Sequence, residues 1–236
     1  GVNPERKMCL WTPLDDPTSK WKALPRYCFE GDNFSLWSYI DIHGNWTSPW
    51  VRSSAGLTDV AHKNGVSVGC VMSIGYGAYV YPNPFAGNTY GKILYKLLQK
   101  QGSKYKYAAP FVRLMKYYGI NGIGFNSEFH TSAAVMEELT NFFVECHKEA
   151  KKIDWKFEVH WYDGTGDDGG IHFDGGLGNH NKKIFGDKDH IATDMLFANY
   201  NWGPSHLSGS VSTAKRLGRS SFDYYAGFDI QGRGLR

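Results

Sequence analysis

The chain has 236 residues, 42% of them hydrophobic and 21% charged, with 26 basic against 23 acidic side chains and a formal net charge of +3. That length supports one sizeable core, and the apolar content excludes a disordered chain. The charge is too balanced and scattered for a nucleic-acid binder, and no run approaches the ~18 apolar residues of a spanning helix. The opening Gly1–Lys7 segment has no initiator Met and no apolar stretch of a signal peptide behind it, so the chain is expected to begin partway into a longer protein.

The aromatic share is high, with 8 Trp, 15 Tyr and 14 Phe. Such an excess suits either a surface that stacks flat sugars or a core rich in Tyr and Trp. The four cysteines (Cys9, Cys28, Cys70, Cys146) form no CxxC pair, which excludes a zinc ribbon, a thioredoxin motif and a dense disulfide scaffold. Asn33-Phe34-Ser35 and Asn45-Trp46-Thr47 are glycosylation sequons, relevant only on a eukaryotic secretory route.

In chain order, Trp37–Ile42 reads as a strand, as does Val66–Ile74. Lys92–Gln101 has Ile93, Leu94, Leu97 and Leu98 at helical spacing, and Phe111–Tyr118 reads as a helix between Pro110 and Gly119. Ile120–Phe125 is a strand. Ser132–Lys152 is the clearest helix, with Val135, Leu139, Phe142, Cys146 and Ala150 on one face and lysines in its last turns. Strands follow at Lys156–Trp161 and Asp194–Asn201, then a helix at Val211–Leu217 and a strand at Tyr224–Ile230. Alternating strands and helices mean parallel βαβ units, and the size favours a (β/α)8 TIM barrel over a doubly wound sheet. Gly122–Ser127 and Gly176–Asn181 both lack the third glycine of a dinucleotide loop.

The segment Asn121–His130 ends an apolar strand in polar residues, at what would be the catalytic face of a barrel. Side chains alternate along a strand, so Asn126 and Glu128 point the same way. The plainer reading is a structural Asn and a Glu in the first turn of a helix. The chemical reading starts from glycosidases, which ordinarily use two carboxylates. One carboxylate beside one amide suits the exceptions, in which the substrate's own 2-acetamido group attacks the anomeric carbon. The acidic, Gly-rich stretch Asp163–Gly170, running on to Gly178, fails the EF-hand spacing and reads as a sugar-covering loop. No HExxH pair, GxSxG elbow or P-loop is present, and neither a metal nor a cofactor is expected.

Phe125-Asn126-Ser127-Glu128 resembles the Asn-x-Glu motif of glycoside hydrolase family 85, the endo-β-N-acetylglucosaminidases. Phe157–Asp163, Leu196–Trp202 and Tyr225–Gly234 resemble three further family segments in the right order, and Tyr39–Asp41 and Ala61–Val66 also fit. The resemblance covers roughly Cys28 to Gly234. It implies a catalytic barrel over 28–236 after a lead-in over 1–27, with Tyr225–Ile230 as the seventh barrel strand and the barrel incomplete where the chain ends. It implies Glu128 as general acid and base, Asn126 as the group holding the acetamido, and Tyr162 beside the reacting sugar. Trp161, Asp163, Phe173, Asn199, Trp202 and Asp229 would contact substrate. The implied substrate is the GlcNAc-β1,4-GlcNAc core of asparagine-linked glycans or glycoproteins, cut with retention and with transglycosylation as a side activity. The location would be secreted or cell-surface in a bacterium and cytosolic in a eukaryote. The sequence departs from the family at Phe173-Asp174-Gly175, where a Trp-Gln-Asn stretch is usual, at Asn201 in place of a Trp, and at His160 in place of an apolar residue. A non-catalytic sugar-binding barrel is the rival reading. A chitinase-like hydrolase is another, although its Asp-x-x-Asp-x-Asp-x-Glu motif is absent.

Overall fold

The β-branched and aromatic runs of the sequence become one parallel sheet. The computed structural model describes residues 5–12, 35–46, 51, 53 and 55–229. Its seven-stranded sheet comprises β1 (Cys9–Thr12), β2 (Ile42–Trp46), β3 (Ser67–Tyr79), β6 (Gly122–His130), β7 (Glu158–Tyr162), β8 (Met195–Phe197) and β9 (Tyr224–Tyr225), paired in that order. Every pairing in it is parallel. The helices are α1 (Ala55–Lys63), α2 (Thr89–Leu97), α3 (Ala108–Tyr117), α4 (Ala133–Lys152), α5 (Lys182–Phe185) and α6 (Pro204–Arg216), and a two-stranded hairpin, β4 (Lys100–Gln101) with β5 (Lys104–Tyr105), lies between α2 and α3.

The sheet curls. The Trp11 ring on β1 meets the Phe197 ring on β8 edge-on at 5.0 Å, although four strands separate them in the sheet. Glycines make room for this indole: a Cβ on Gly44 would stand 2.5 Å from Trp11, and one on Gly124 would stand 2.9 Å from it. Among the described residues β1 and β9 remain the two edges, so the wall is an incomplete (β/α) barrel.

α4 packs against the convex side. Ser132 caps it by accepting from the Val135 N–H. Met136, Leu139, Phe142, Phe143, Cys146 and Ala150 are buried along one face. Phe143 lies 5.4 Å from the Phe125 ring and 6.4 Å from the Trp161 ring, which joins the helix to β6 and β7.

Several sequence expectations shift. Trp37–Tyr39 forms a 3-10 turn, and the strand begins only at Ile42 and runs to Trp46. The cause is packing: Trp37 and Ile40, one turn apart, are buried together with Leu57, Ala61, Val66 and Val68. Cys9–Thr12, inside the expected lead-in, is the first strand of the wall and pairs with β2. β6 extends to His130, so Glu128 is a strand residue and not part of a helical first turn. α2 stops at Leu97, and Lys100–Gln101 turns into the hairpin. The strand expected over Asp194–Asn201 shortens to Met195–Phe197, and α6 starts earlier, with Pro204 in its first turn. Ile230 and Asn33 lie outside the described residues. Asn45 is 2% exposed in β2, which closes that sequon to glycosylation. Among the described residues no helix is long and apolar enough to cross a membrane.

Phe143→Ala empties the joint between α4, β6 and β7. The expected loss is about 3–5 kcal/mol of unfolding free energy, read from denaturant titration against wild type.

Candidate active site

Along β6, Ile123, Phe125, Ser127 and Phe129 are buried, while Asn126 and Glu128 are half-buried on the opposite, concave side. The two polar side chains meet there: Asn126 Nδ2 donates to Glu128 Oε2 at 2.7 Å. The loop after β7 is sewn to this strand end. The Ser127 hydroxyl donates to the Tyr162 carbonyl at 2.6 Å. The Thr165 N–H donates to the Ser127 carbonyl at 2.7 Å, and the Phe129 N–H donates to the Thr165 hydroxyl at 3.1 Å. A Cβ on Gly164 would collide with the Ser127 carbonyl, so only glycine lets the loop pass this closely.

Tyr162 ends β7 on the same concave side as the pair. Its hydroxyl donates to Asn199 Oδ1 at 2.8 Å. Burial, then Tyr200 and the charge of Glu128, push its pKa well above the usual tyrosine range, so it stays a proton donor. Its ring lies 5.4 Å from Phe197, 6.0 Å from Phe173 and 6.1 Å from Tyr200. The structure thus brings Asn126, Glu128, Tyr162, Phe173 and Asn199 to one mouth. Trp202 sits half-buried beside it, with its indole N–H donated to the Gly227 carbonyl at 2.8 Å and its ring edge-on to Phe228 at 5.3 Å. Asp229 is half-buried just beyond β9.

Two expected sugar contacts are corrected. Trp161 is 0% exposed, packed between Phe125, Phe129 and Phe143, with its indole N–H donated to the Thr165 carbonyl. Neighbouring strand residues face opposite sides, so Trp161 belongs to the helix-side core once Tyr162 faces the mouth. Asp163 is 3% exposed; its Oδ2 accepts from the Gly175 N–H at 2.6 Å and its Oδ1 from Asn181 Nδ2 at 2.9 Å. It anchors the loop and is closed to substrate. His160, 1% exposed, pairs with Glu158 at 3.2 Å below the mouth. Burial pushes Glu158 up, but His160 and Lys156 outweigh it and hold the carboxyl at about 2.

Tyr76 and Tyr79 stand out among the residues that spacing alone did not single out. Tyr79 stacks on His130 with centroids 5.0 Å apart, and Tyr76 stacks on Phe173 at 6.4 Å. Both tyrosines are exposed, on the far end of β3, where the pairing with β6 shifts register between Ile74 and Ala78 around Gly77 at φ +71°. The aromatic excess of the composition was the one signal that pointed to such a rim.

A model of Glycosyl hydrolase family 85 matches residues 20–236. The cytosolic endo-beta-N-acetylglucosaminidase of Gallus gallus is 28% identical over 208 residues, which covers 85% of this chain and 25% of that protein. Its counterpart in Homo sapiens is 26% identical over 207 residues, again 85% of this chain and 25% of that protein. The chain therefore spans about a quarter of the length of these relatives. The glycoside hydrolase domain of Endo-D from Streptococcus pneumoniae R6 shares the fold, with a TM-score of 0.83 at 21% identity over 98% of this chain and 35% of that one.

Asp163 makes the stability of the loop depend on pH. Burial lifts its pKa from 3.8 to about 6, against the lowering effect of Asn181 and the Gly175 N–H. The folded chain therefore holds this proton more tightly than the unfolded one. Asp163 favours the fold below about pH 4, and that advantage is lost as pH rises through about 6. Asp163→Asn cannot ionise. The unfolding free energy of wild type minus that of the variant should fall by roughly 2–3 kcal/mol between pH 4 and 7, followed by denaturant titration at each pH.

Proposed function

The chain belongs to glycosyl hydrolase family 85, and from that premise we propose that it supplies the catalytic residues of an endo-β-N-acetylglucosaminidase. The substrate is the GlcNAc-β1,4-GlcNAc core of asparagine-linked glycans, cleaved with help from the substrate's own acetamido group. The observation that carries this reading is the 2.7 Å pair of Asn126 and Glu128 on the concave side of β6, one amide and one carboxyl presented together. Mechanisms with an enzyme nucleophile need a second carboxylate across the bond, about 5–5.5 Å from the first. Asp163, the acid next along the wall, is spent on the loop and cannot fill that role.

In the proposed first step the acetamido carbonyl oxygen attacks the anomeric carbon, the glycosidic bond breaks, and Glu128 gives its proton to the departing GlcNAc oxygen. With Asn126 Nδ2 engaged by Glu128, Asn126 Oδ1 accepts the acetamido N–H as positive charge grows on the ring that forms. In the second step Glu128 takes a proton from water, whose oxygen attacks the anomeric carbon and reopens the ring. A GlcNAc hydroxyl in place of water gives transglycosylation. Tyr162, protonated and oriented by Asn199, closes one side of the reacting sugar, and Phe173 with Tyr76 offers an apolar wall to the next.

Glu128→Gln keeps the shape and removes the proton, so glycopeptide hydrolysis should fall by about 10²–10⁴-fold with glycan binding retained. Products are read by mass after incubation with an N-glycopeptide and, in parallel, with chitin oligomers. Activity within a few-fold of wild type overturns the role of Glu128, and cleavage of chitin alone moves the reading to a chitinase-like hydrolase. A wild type that binds glycan and cuts neither substrate is a sugar-binding protein.

Asn126→Ala separates the two steps. The variant should fail on the glycoside yet still transfer a preformed glycan oxazoline to a GlcNAc-peptide, because that donor enters after the step Asn126 serves. A parallel loss of both reactions would make Asn126 structural.

A further inference from the structure

The loop between β7 and α5 is held from beneath by a buried and a half-buried carboxylate. Asp163 ties its start to Gly175 and Asn181, and Asp167 accepts the N–H groups of Lys183 at 2.9 Å and Ile184 at 2.9 Å. What this frame carries on its outer side is a set of metal-type donors. One ring nitrogen each of His172 and His180 and a carboxylate oxygen of Asp174 lie within 4.8 Å of one another. The two imidazoles stack face to face at 3.8 Å, inclined by 4°, and because an imidazole donates in its own plane, one ring must turn about its side-chain torsions for both to reach one cation. His172 Nε2 stands 2.8 Å from Asp168 Oδ1, and His180 Nδ1 stands 3.0 Å from Asp174 Oδ2. We propose that His172, Asp174 and His180, with the Asp168 carboxylate beside them, bind a divalent transition-metal cation of the zinc class.

The donor set argues for that class. Calcium and magnesium take oxygen ligands, whereas neutral imidazole with carboxylate is the ordinary company of zinc, cobalt and nickel. The two carboxylates offset the charge of the cation. The backbone is shaped to the histidines: a Cβ on Gly166 would come within 2.7 Å of the His172 ring, and one on Gly170 within 3.2 Å of His172 Nε2. The donors sit at the surface, where a cation can reach them, since His180 and Asp168 are exposed and His172 and Asp174 half-exposed.

The site has a consequence for Phe173, which lies between two of the ligands. Phe173 holds φ +52°, a left-handed conformation unusual for a bulky side chain. Its ring faces Tyr162 and Tyr76 at the mouth. A cation gripping His172 and Asp174 fixes the backbone on both sides of it. The metal site thus acts as a clip that positions an aromatic wall of the mouth, and its existence does not depend on the reaction proposed above.

The test uses the full chain, free of any polyhistidine tag and stripped with chelator. Titration with Co²⁺ should develop visible d–d bands that saturate at one equivalent, and Zn²⁺ should displace the cobalt and abolish them. His172→Asn and His180→Asn should each weaken cobalt binding by more than the ~10–100-fold typical of losing an outer partner. Asp174→Asn, which keeps side-chain volume, should weaken it as well, with circular dichroism confirming the fold of each variant. His190→Asn, remote from the cluster in the loop before β8, should bind as wild type does. No saturable spectrum in the wild type, or one that survives in both histidine variants, overturns the proposal.

Discussion

A strand that must bury one face and open the other is the constraint from which this site follows. β6 meets it by strict alternation. Ile123, Phe125, Ser127 and Phe129 turn toward the helices, and Gly122, Gly124, Asn126 and Glu128 take the concave side. A one-residue slip would drive Glu128 into the core and Phe129 into the mouth, so burial of the phenylalanines fixes the Asn126–Glu128 pair as firmly as a direct contact would. The glycines at the lower positions serve the same wall. They let Trp11 and His160 fill the concave side, so that the pair stands on a packed floor.

The acids of the neighbouring loop have opposite duties from Glu128. Asp163 and Asp167 spend their oxygens on backbone N–H groups and on Asn181. Burial pushes both carboxyls up, against those hydrogen bonds. Their hydrogen bonds offset the large conformational entropy that a glycine-rich stretch loses on being ordered. Ordering matters because this loop presents Phe173 to Tyr162. An acidic, Gly-rich sequence therefore serves here as a frame for an aromatic wall, and the surface histidines sit on that frame.

The rim is built from parts of the chain distant in sequence. Tyr76 and Tyr79 come from the irregular end of β3, Phe173 from the loop after β7, and Tyr200 from the turn after β8. Flat, amphipathic rings around a single amide–carboxyl pair match the two faces of a sugar, apolar above the ring and polar at its edge. The curl of the sheet, pinned by Trp11 against Phe197, is what gathers them.

What the sequence determined by itself is carried by its short periods. The βα rhythm, α4 with its Ser132 cap, and the shared direction of Asn126 and Glu128 depend on residues within a few positions of one another, and the structure has them where the periods put them. The same period of two already implied that Trp161 and Tyr162 cannot both face a sugar, a signal the motif resemblance obscured. Tertiary structure alone decided the rest. Trp37–Tyr39 became a turn because α1 offers Trp37 and Ile40 a shared pocket, and Cys9–Thr12 became a strand because β2 offers it an edge. Asp163 became an anchor because Gly175 and Asn181 return to it from 12 and 18 residues away. Burial and long-range hydrogen bonds depend on how elements meet, and no local pattern carries that information.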